Sequence, residues 1–294
     1  VIFITYLQEK VIIVTGSGRG IGYAIAKYCL DEGATVVIVD SVMERVDKAL
    51  SRLQDNSGRI LGIHETVATR EGAKRIISET INRFGKIDAL INNAAKTEDN
   101  LLLNMEESEF NNVIDTNLKG PFFCTKEVLP SMVQQGNGRI INMIAASGLA
   151  GNPGQTNYAA SKGGLLSMTL TWSKELRNKN IQVNAVIPTA WTEMSEEIPE
   201  KVLLKVMGEE KLDELKSRTP NQVAPLIGYL LSDEGVGVTG QCFGIAGKQL
   251  SVWDYAKPAE VFSTEEDRWE FEEIAQLVEG NKEKFRVKPV SPFL

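Results

Sequence analysis

The sequence predicts an α/β fold: a doubly wound parallel sheet of the Rossmann type, in a single domain with a C-terminal helical extension. Three observations predict it. Short, nearly continuous β-branched runs recur along the chain, amphipathic stretches separate them, and a glycine-rich turn joins the first run to the first such stretch. Strands that are apolar on both sides need cover on both faces, and a helix between successive strands supplies it.

The elements follow in order. KVIIVTG (10–16) and TVVIVD (35–40) are β-branched runs ending at turn residues, with YAIAKYCLDEG (23–33) as the helix between them. VDKALSRLQDN (46–56) and GAKRIISETINRFG (72–85) are further amphipathic helices. IDALINNA (87–94), GRIINMIA (138–145), IQVNAVIP (181–188) and GQCFGIAG (240–247) complete the strands. A helix is expected over 110–130, FNNVIDTNLKGPFFCTKEVLP. Residues 9–248 are expected to form the doubly wound domain and 249–294 the extension. In the extension, Ser263 and Glu266 make a capping box for a helix whose apolar stripe is Phe271, Ile274, Ala275 and Val278, with Gly280 as its C-cap. The extension reads as a docked terminal helix rather than a separate functional module.

Composition excludes several classes. A net charge of -7 argues against a nucleic-acid partner, which needs a basic face. Cys29, Cys124 and Cys242 are far apart and form no CxxC pair, so they are expected as reduced, buried thiols in a cytoplasmic protein. No metal is expected: the single histidine, His64, excludes multi-histidine centres and reads as a polar residue at a strand end. No apolar run approaches the roughly 20 residues that span a bilayer, so no membrane partner is expected. The opening VIFITYL is short for a signal segment and lacks a basic flank.

The turn VTGSGRGIG (14–22) carries the first chemical signal. Gly16, Gly18, Gly20 and Gly22 leave no side chains between backbone N–H groups and a bound diphosphate, and the helix N-terminus favours that anion. Its context, strand before and helix after, makes the glycine repeat specific. Asp40, at the end of the second strand, can accept from the adenosine ribose hydroxyls and repels a 2′-phosphate. Arg19 is the opposing hint, since it could pair with that phosphate. Weighing contact repulsion above a side chain free to swing outward, NAD is favoured over NADP.

Four ordered motifs, TGSGRGIG (15–22), INNAA (91–95), DTNLKGPF (115–122) and YAASK (158–162), resemble the short-chain dehydrogenase/reductase family from about Lys10 to Gly247. The resemblance implies that Tyr158 handles the proton at the substrate oxygen. It implies that Lys162 lowers the tyrosine's pKa and holds the nicotinamide ribose, and that Asn117 supports a relay water. It places Gly16, Ser17, Arg19, Gly20, Ile21, Gly22, Asp40, Val67, Asn93, Tyr158, Lys162 and Pro188 at the cofactor. The chemistry agrees independently. A free phenol near pKa 10 is a poor base at neutral pH, a nearby cation stabilises the phenolate, and residues four apart share a helix face. Thr66 stands where an adenine-contacting Asp is usual in the family.

One position breaks the pattern. The family serine stands 13 residues before the tyrosine, which here is Ala145. Ser147 lies two residues on. In an extended chain it would share Ala145's face, yet sit about 6.6 Å further along, beyond hydrogen-bonding reach. The serine is missing.

PTAWTEM (188–194), FGIAGKQLSVW (243–253) and the tail resemble (3R)-hydroxyacyl-CoA dehydrogenase domains more than 3-oxoacyl-acyl-carrier-protein reductases, while GNPGQTNYAASK (151–162) fits both. Two functions stand. The first is an NAD-dependent oxidoreductase on a secondary alcohol or ketone, a 3-hydroxyacyl or 3-oxoacyl thioester such as a CoA ester. The second, kept alive by Ala145, is an NAD-binding sensor or structural subunit with little turnover. Apolar residues around the 110–130 helix and the helix carrying Tyr158 (Phe122, Phe123, Leu165, Leu166, Met168, Leu170) lead to the expectation of a homodimer or homotetramer.

Overall fold

The computed structural model describes residues 5–54, 57–196, 198–254, 260–264, 267–281 and 283. Among these, eight strands form one sheet: β1 Val11–Thr15, β2 Thr35–Asp40, β3 Ile60–His64, β4 Ala89–Asn92, β5 Gly138–Met143, β6 Ile181–Thr189, β7 Cys242–Ala246 and β8 Gln249–Val252. Their order is β3-β2-β1-β4-β5-β6-β7-β8, parallel throughout except for the antiparallel β7–β8 pair. The helices are α1 Gly20–Asp31, α2 Met43–Leu53, α3 Arg70–Phe84, α4 Glu107–Ile114, α5 Gly120–Gln135, α6 Ser147–Ala150, α7 Thr156–Glu175, α8 Glu193–Glu196, α9 Glu200–Met207, α10 Glu209–Ser217, α11 Ala224–Leu231 and α12 Phe271–Gly280. This is the doubly wound fold the strand and helix alternation predicts.

Neighbouring residues of each central strand face opposite sides, and each side finds its own core. Ile12, Val14, Val36, Ile38, Ile91 and Ile141 pack with Ile25 and Cys29 of α1 and with Ile227 and Leu230 of α11. Ile13, Val37, Val39, Leu90, Ile140 and Val183 pack with Ile76 and Ile77 of α3 and Val128 and Met132 of α5. All three cysteines are buried as free thiols, and His64 ends β3 with its Nε2 3.2 Å from the Ser41 carbonyl oxygen. No helix among the described residues is long and apolar enough to cross a membrane.

Four details depart from the sequence reading. β3 does not stand out in the sequence because Gly62 interrupts it and only Ile63 is fully buried. β8 lies beyond residue 248, and the compact unit that contains the sheet runs to Trp253. The expected 110–130 helix is two helices, α4 and α5, joined through a π-helical turn, Asp115–Lys119. In the second unit, from Asp254, α12 starts at Phe271 with Glu270 and Glu273 as its capping box, and Asn281 rather than Gly280 is the C-cap. Ser263 precedes that start by eight positions, and Glu266 lies outside the described residues.

Candidate active site

The sheet reverses its winding between β1 and β4, and the carboxyl ends of the strands open there into a cleft, where ligands of such sheets bind. The glycine loop forms one wall. Gly16 and Gly20 take φ of +62° and +58°, which side-chain-bearing residues avoid. Buried bonds hold the loop in place. Thr15 Oγ1 donates to the Ile91 carbonyl and accepts from the Asn93 and Ala94 amides, while Asn93 Nδ2 donates to the Thr15 and Gly16 carbonyls. Ser17 turns its hydroxyl inward, donating to Val14 O at 2.6 Å and accepting from Val39 N at 3.0 Å.

Gly16, Arg19, Gly20, Ile21 and Gly22, then Asp40, Val67, Asn93, Tyr158, Lys162 and Pro188, all line this cleft. Ser17, Asn117 and Ala145 are not in its lining. Asp40 is buried at the end of β2, accepting from Gly18 N at 3.3 Å and Val42 N at 3.1 Å. Arg45 of α2, which sequence reasoning missed, brings Nη1 to 3.7 Å from Asp40 Oδ1 and lines the same cleft. No periodicity marks it, because the pairing depends on how α2 leaves β2. Glu65, ion-paired to Arg75, and Thr66 also reach the cleft; Thr66 Oγ1 accepts from Ala68 N. Among the described residues no group of three His, Cys, Asp or Glu side chains could hold a metal.

Helix α7 carries Tyr158 and Lys162 and is fixed from three sides. A buried polar chain crosses the sheet: Asn92 Nδ2 donates to Asn142 Oδ1, and Asn142 Nδ2 donates to Thr169 Oγ1, both at 2.8 Å. Asn157 donates to the carbonyls of Glu98 and Glu109 and accepts from the Tyr158 amide. Asn117, buried in the π turn, accepts from Lys96 N at 2.8 Å and donates to Lys96 O at 2.9 Å, with Ser161 Oγ 3.4 Å away.

Lys162 Nζ lies 5.5 Å from the centre of the Tyr158 ring and donates to the Met143 carbonyl at 2.8 Å. Burial pushes Lys162 down to about 8, and burial, then Asp99, pushes Tyr158 up to about 12. In the protein without cofactor, burial thus acts against the lowering of the phenol that the resemblance implies. Desolvation of the phenolate outweighs a cation at this distance.

The strand geometry assumed for Ser147 does not hold. Ladder bonding ends at Ile144, whose N–H reaches Val186 O. Ala146 is already helical (φ −59°, ψ −30°), and Ser147 begins α6. The chain between Ala145 and Ser147 is no longer extended, so the alternation that would put both side chains on one face does not apply. Ser147 Oγ is buried with no hydrogen-bond partner among the described residues.

Residues 10–203 match the short chain dehydrogenase family. The chain is similar to the 3-oxoacyl-[acyl-carrier-protein] reductase FabG of Thermotoga maritima, 41% identical over 242 residues, covering 82% of this chain and 98% of that protein. A 3-oxoacyl-[acyl-carrier-protein] reductase of Synechocystis is 36% identical over 246 residues, 83% of this chain and 98% of its own. The crystal structure of a short chain dehydrogenase from Mycobacterium avium superposes with a TM-score of 0.81 at 30% identity, covering 98% of each chain.

Proposed function

The chain belongs to the short-chain dehydrogenase family, and from that premise we propose that this NAD(P)-dependent oxidoreductase interconverts a 3-oxoacyl and a 3-hydroxyacyl thioester. In the proposal NAD is its preferred cofactor and Ala145 limits its turnover. One observation carries the reading: Tyr158, Lys162, the glycine loop and Asp40 converge on a single cleft.

The residues fit a dinucleotide. A β-carbon on Gly18 would strike Arg45 Cβ at 2.6 Å and Asp40 Oδ2 at 2.8 Å, so the loop stays bare where Asp40 and Arg45 close on it. The α1 N-terminus and the loop would hold the diphosphate, Asp40 the adenosine ribose, Val67 the adenine side, and Lys162 and Pro188 the nicotinamide end. When bound, the cofactor supplies or takes the hydride. Tyr158 keeps its proton at neutral pH and in the reductive direction stands ready to donate it to the carbonyl oxygen. Lys162, near 8, is mostly cationic at pH 7, and Asn117 with Lys96 holds the loop beside it. Ala145 offers no hydroxyl to the developing oxyanion. Arg45 offsets part of the Asp40 charge, so the NAD preference is weaker than Asp40 alone would set.

The relatives' names favour an acyl-carrier-protein thioester, whereas segments 188–194 and 243–253 favour coenzyme A. Oxidation of NADH and of NADPH, followed with acetoacetyl-CoA, its acyl-carrier-protein ester and simple ketones, separates these. Turnover of no thioester would leave the low-turnover NAD-binding subunit as the better reading. The enzyme is proposed as a homodimer or homotetramer. Phe110, Phe122 and Val133 are exposed on α4 and α5, while Leu165 and Leu166 are buried within the subunit and cannot serve a partner. A monomeric mass by light scattering at micromolar concentration would contradict it.

A further inference from the structure

A second cleft adjoins the first, between α1, the end of α2 and the turn that follows β6, with a volume of about 940 Å³. Gly20, Thr192 and Glu193 line both clefts, so the two share a rim. A cavity of this size is in the range that holds a ligand of nucleotide dimensions.

Its walls are aromatic and cationic. On the α1–α2 side the Arg52 guanidinium lies over the Tyr23 ring, with Cζ 4.3 Å from the ring centre. Tyr23 is buried in α1, and Arg52 stands in the last turn of α2. A guanidinium stacked in this way is held through its flat face, and the N–H groups along its edge stay available to acceptors. Among the described residues no carboxylate pairs with Arg52, whereas Lys27, on the same wall, is bonded to Asp31 at 2.7 Å. The turn after β6 supplies Trp191. Its backbone N–H donates to the Arg218 carbonyl and its Nε1 to Glu196 Oε1 at 3.3 Å, so the indole is fixed at both ends. Two carboxylates line the cleft, Glu196, engaged with Trp191, and Glu193, on the shared rim.

A fixed indole and a guanidinium with an open edge suit a planar base that carries phosphate. The base stacks on the ring, and the guanidinium fork takes two phosphate oxygens. That chemistry separates the two candidate thioesters, since a coenzyme A ester ends in a phosphorylated adenosine and a carrier-protein ester has no nucleotide. We propose that the second cleft seats the adenosine bisphosphate end of a coenzyme A thioester whose acyl end lies in the first, with Arg52 on a phosphate and Trp191 on the adenine. The common rim lets one molecule enter both. The inference rests on the dinucleotide and thioester reading of the first cleft.

Calorimetric titration with adenosine 3′,5′-bisphosphate, after saturating ADP-ribose has filled the first cleft, tests it apart from turnover. The bisphosphate should bind, and more tightly than 5′-AMP. Arg52→Gln should weaken it at least about tenfold and Trp191→Leu at least about fivefold, with ADP-ribose affinity unchanged in both. No binding of the bisphosphate, undiminished binding by Arg52→Gln, or an equal affinity for 5′-AMP, which would assign the cleft to a free nucleotide, would overturn the proposal. If the unaltered protein does not take up ADP-ribose, the dinucleotide reading falls instead, and the Arg52 comparison is then made with the bisphosphate alone.

Discussion

The two walls of the cleft are built differently. On the glycine-loop side, backbone and side chains are joined by bonds among buried and half-buried groups: Thr15 to Ile91, Asn93 to the loop carbonyls, Ser17 between β1 and β2. On the side that follows β6, the segment from Thr192 to Arg218 anchors through the buried Leu203, Leu212 and Leu215, and its charged pairs, Lys216 with Glu200 and Arg218 with Glu214, reach the surface. Buried bonds are costly to break, whereas exposed ion pairs contribute little and are screened by salt. The difference teaches a division of labour. A wall fixed before anything binds suits the invariant cofactor of the proposed function, and a less firmly held one suits its variable substrate.

Six substitutions would break or sharpen that contrast. Tyr158→Phe keeps the packing of the fixed side and removes its acid, so kcat should fall by about 10²–10⁴ with cofactor affinity nearly unchanged. An equal loss in cofactor binding, measured by titration, would show that the phenol belongs to the binding wall. Ala145→Ser adds a donor to the oxyanion and should raise kcat by more than about tenfold with NAD affinity little altered. If Ser147→Ala abolishes activity while Ala145→Ser adds nothing, Ser147 holds the role instead.

Gly22→Ala strikes the fixed wall directly, since its β-carbon would collide with the Gly16 carbonyl oxygen and come within 2.5 Å of Asn93 Nδ2. A stability loss of about 1–3 kcal/mol is expected in urea unfolding, and an unchanged midpoint would mean the loop yields. Lys162 provides a pH test. Its folded pKa is lowered to about 8, so between about 8 and 10 the unfolded chain binds more protons and stability rises with pH. Relative to Lys162→Met, the unaltered protein should gain stability across that window; a flat difference would place Lys162 in water. Lys216→Met, on the loose wall, should leave the thermal midpoint essentially unchanged. A larger drop in the thermal midpoint would show that the outer segment is held more firmly than its exposed pairs imply.

The fixed wall was also the legible one. The glycines, Asp40 and the Tyr158–Lys162 spacing are local patterns, and a strand–turn–helix places them without knowledge of anything distant. Arg45 was not legible, because it matters only through a neighbour brought close by the fold, Asp40. Asn157 has the same character, joining α7 to two carbonyls 48 and 59 positions away. Burial of Tyr158 raised its pKa where spacing alone suggested a lowering, since the sequence displays the cation but not the loss of water. The edge strand β8 was hidden by its exposure on both faces, which leaves no alternation to detect.

The wide turn at Asp115–Lys119 sets the phase of everything after it. Gly120 N–H bonds to Asp115 O, five residues back, so one residue more than an α-turn is accommodated. An α-helix advances about 100° per residue, and removing that extra residue would rotate all of α5 by that angle relative to α4. Cys124, Val128 and Met132, now against the sheet, would swing off it while other side chains took their place. Deleting Leu118 would thus act as a frameshift in three dimensions: the downstream sequence reads the same, but every side chain of the helix addresses the wrong neighbour.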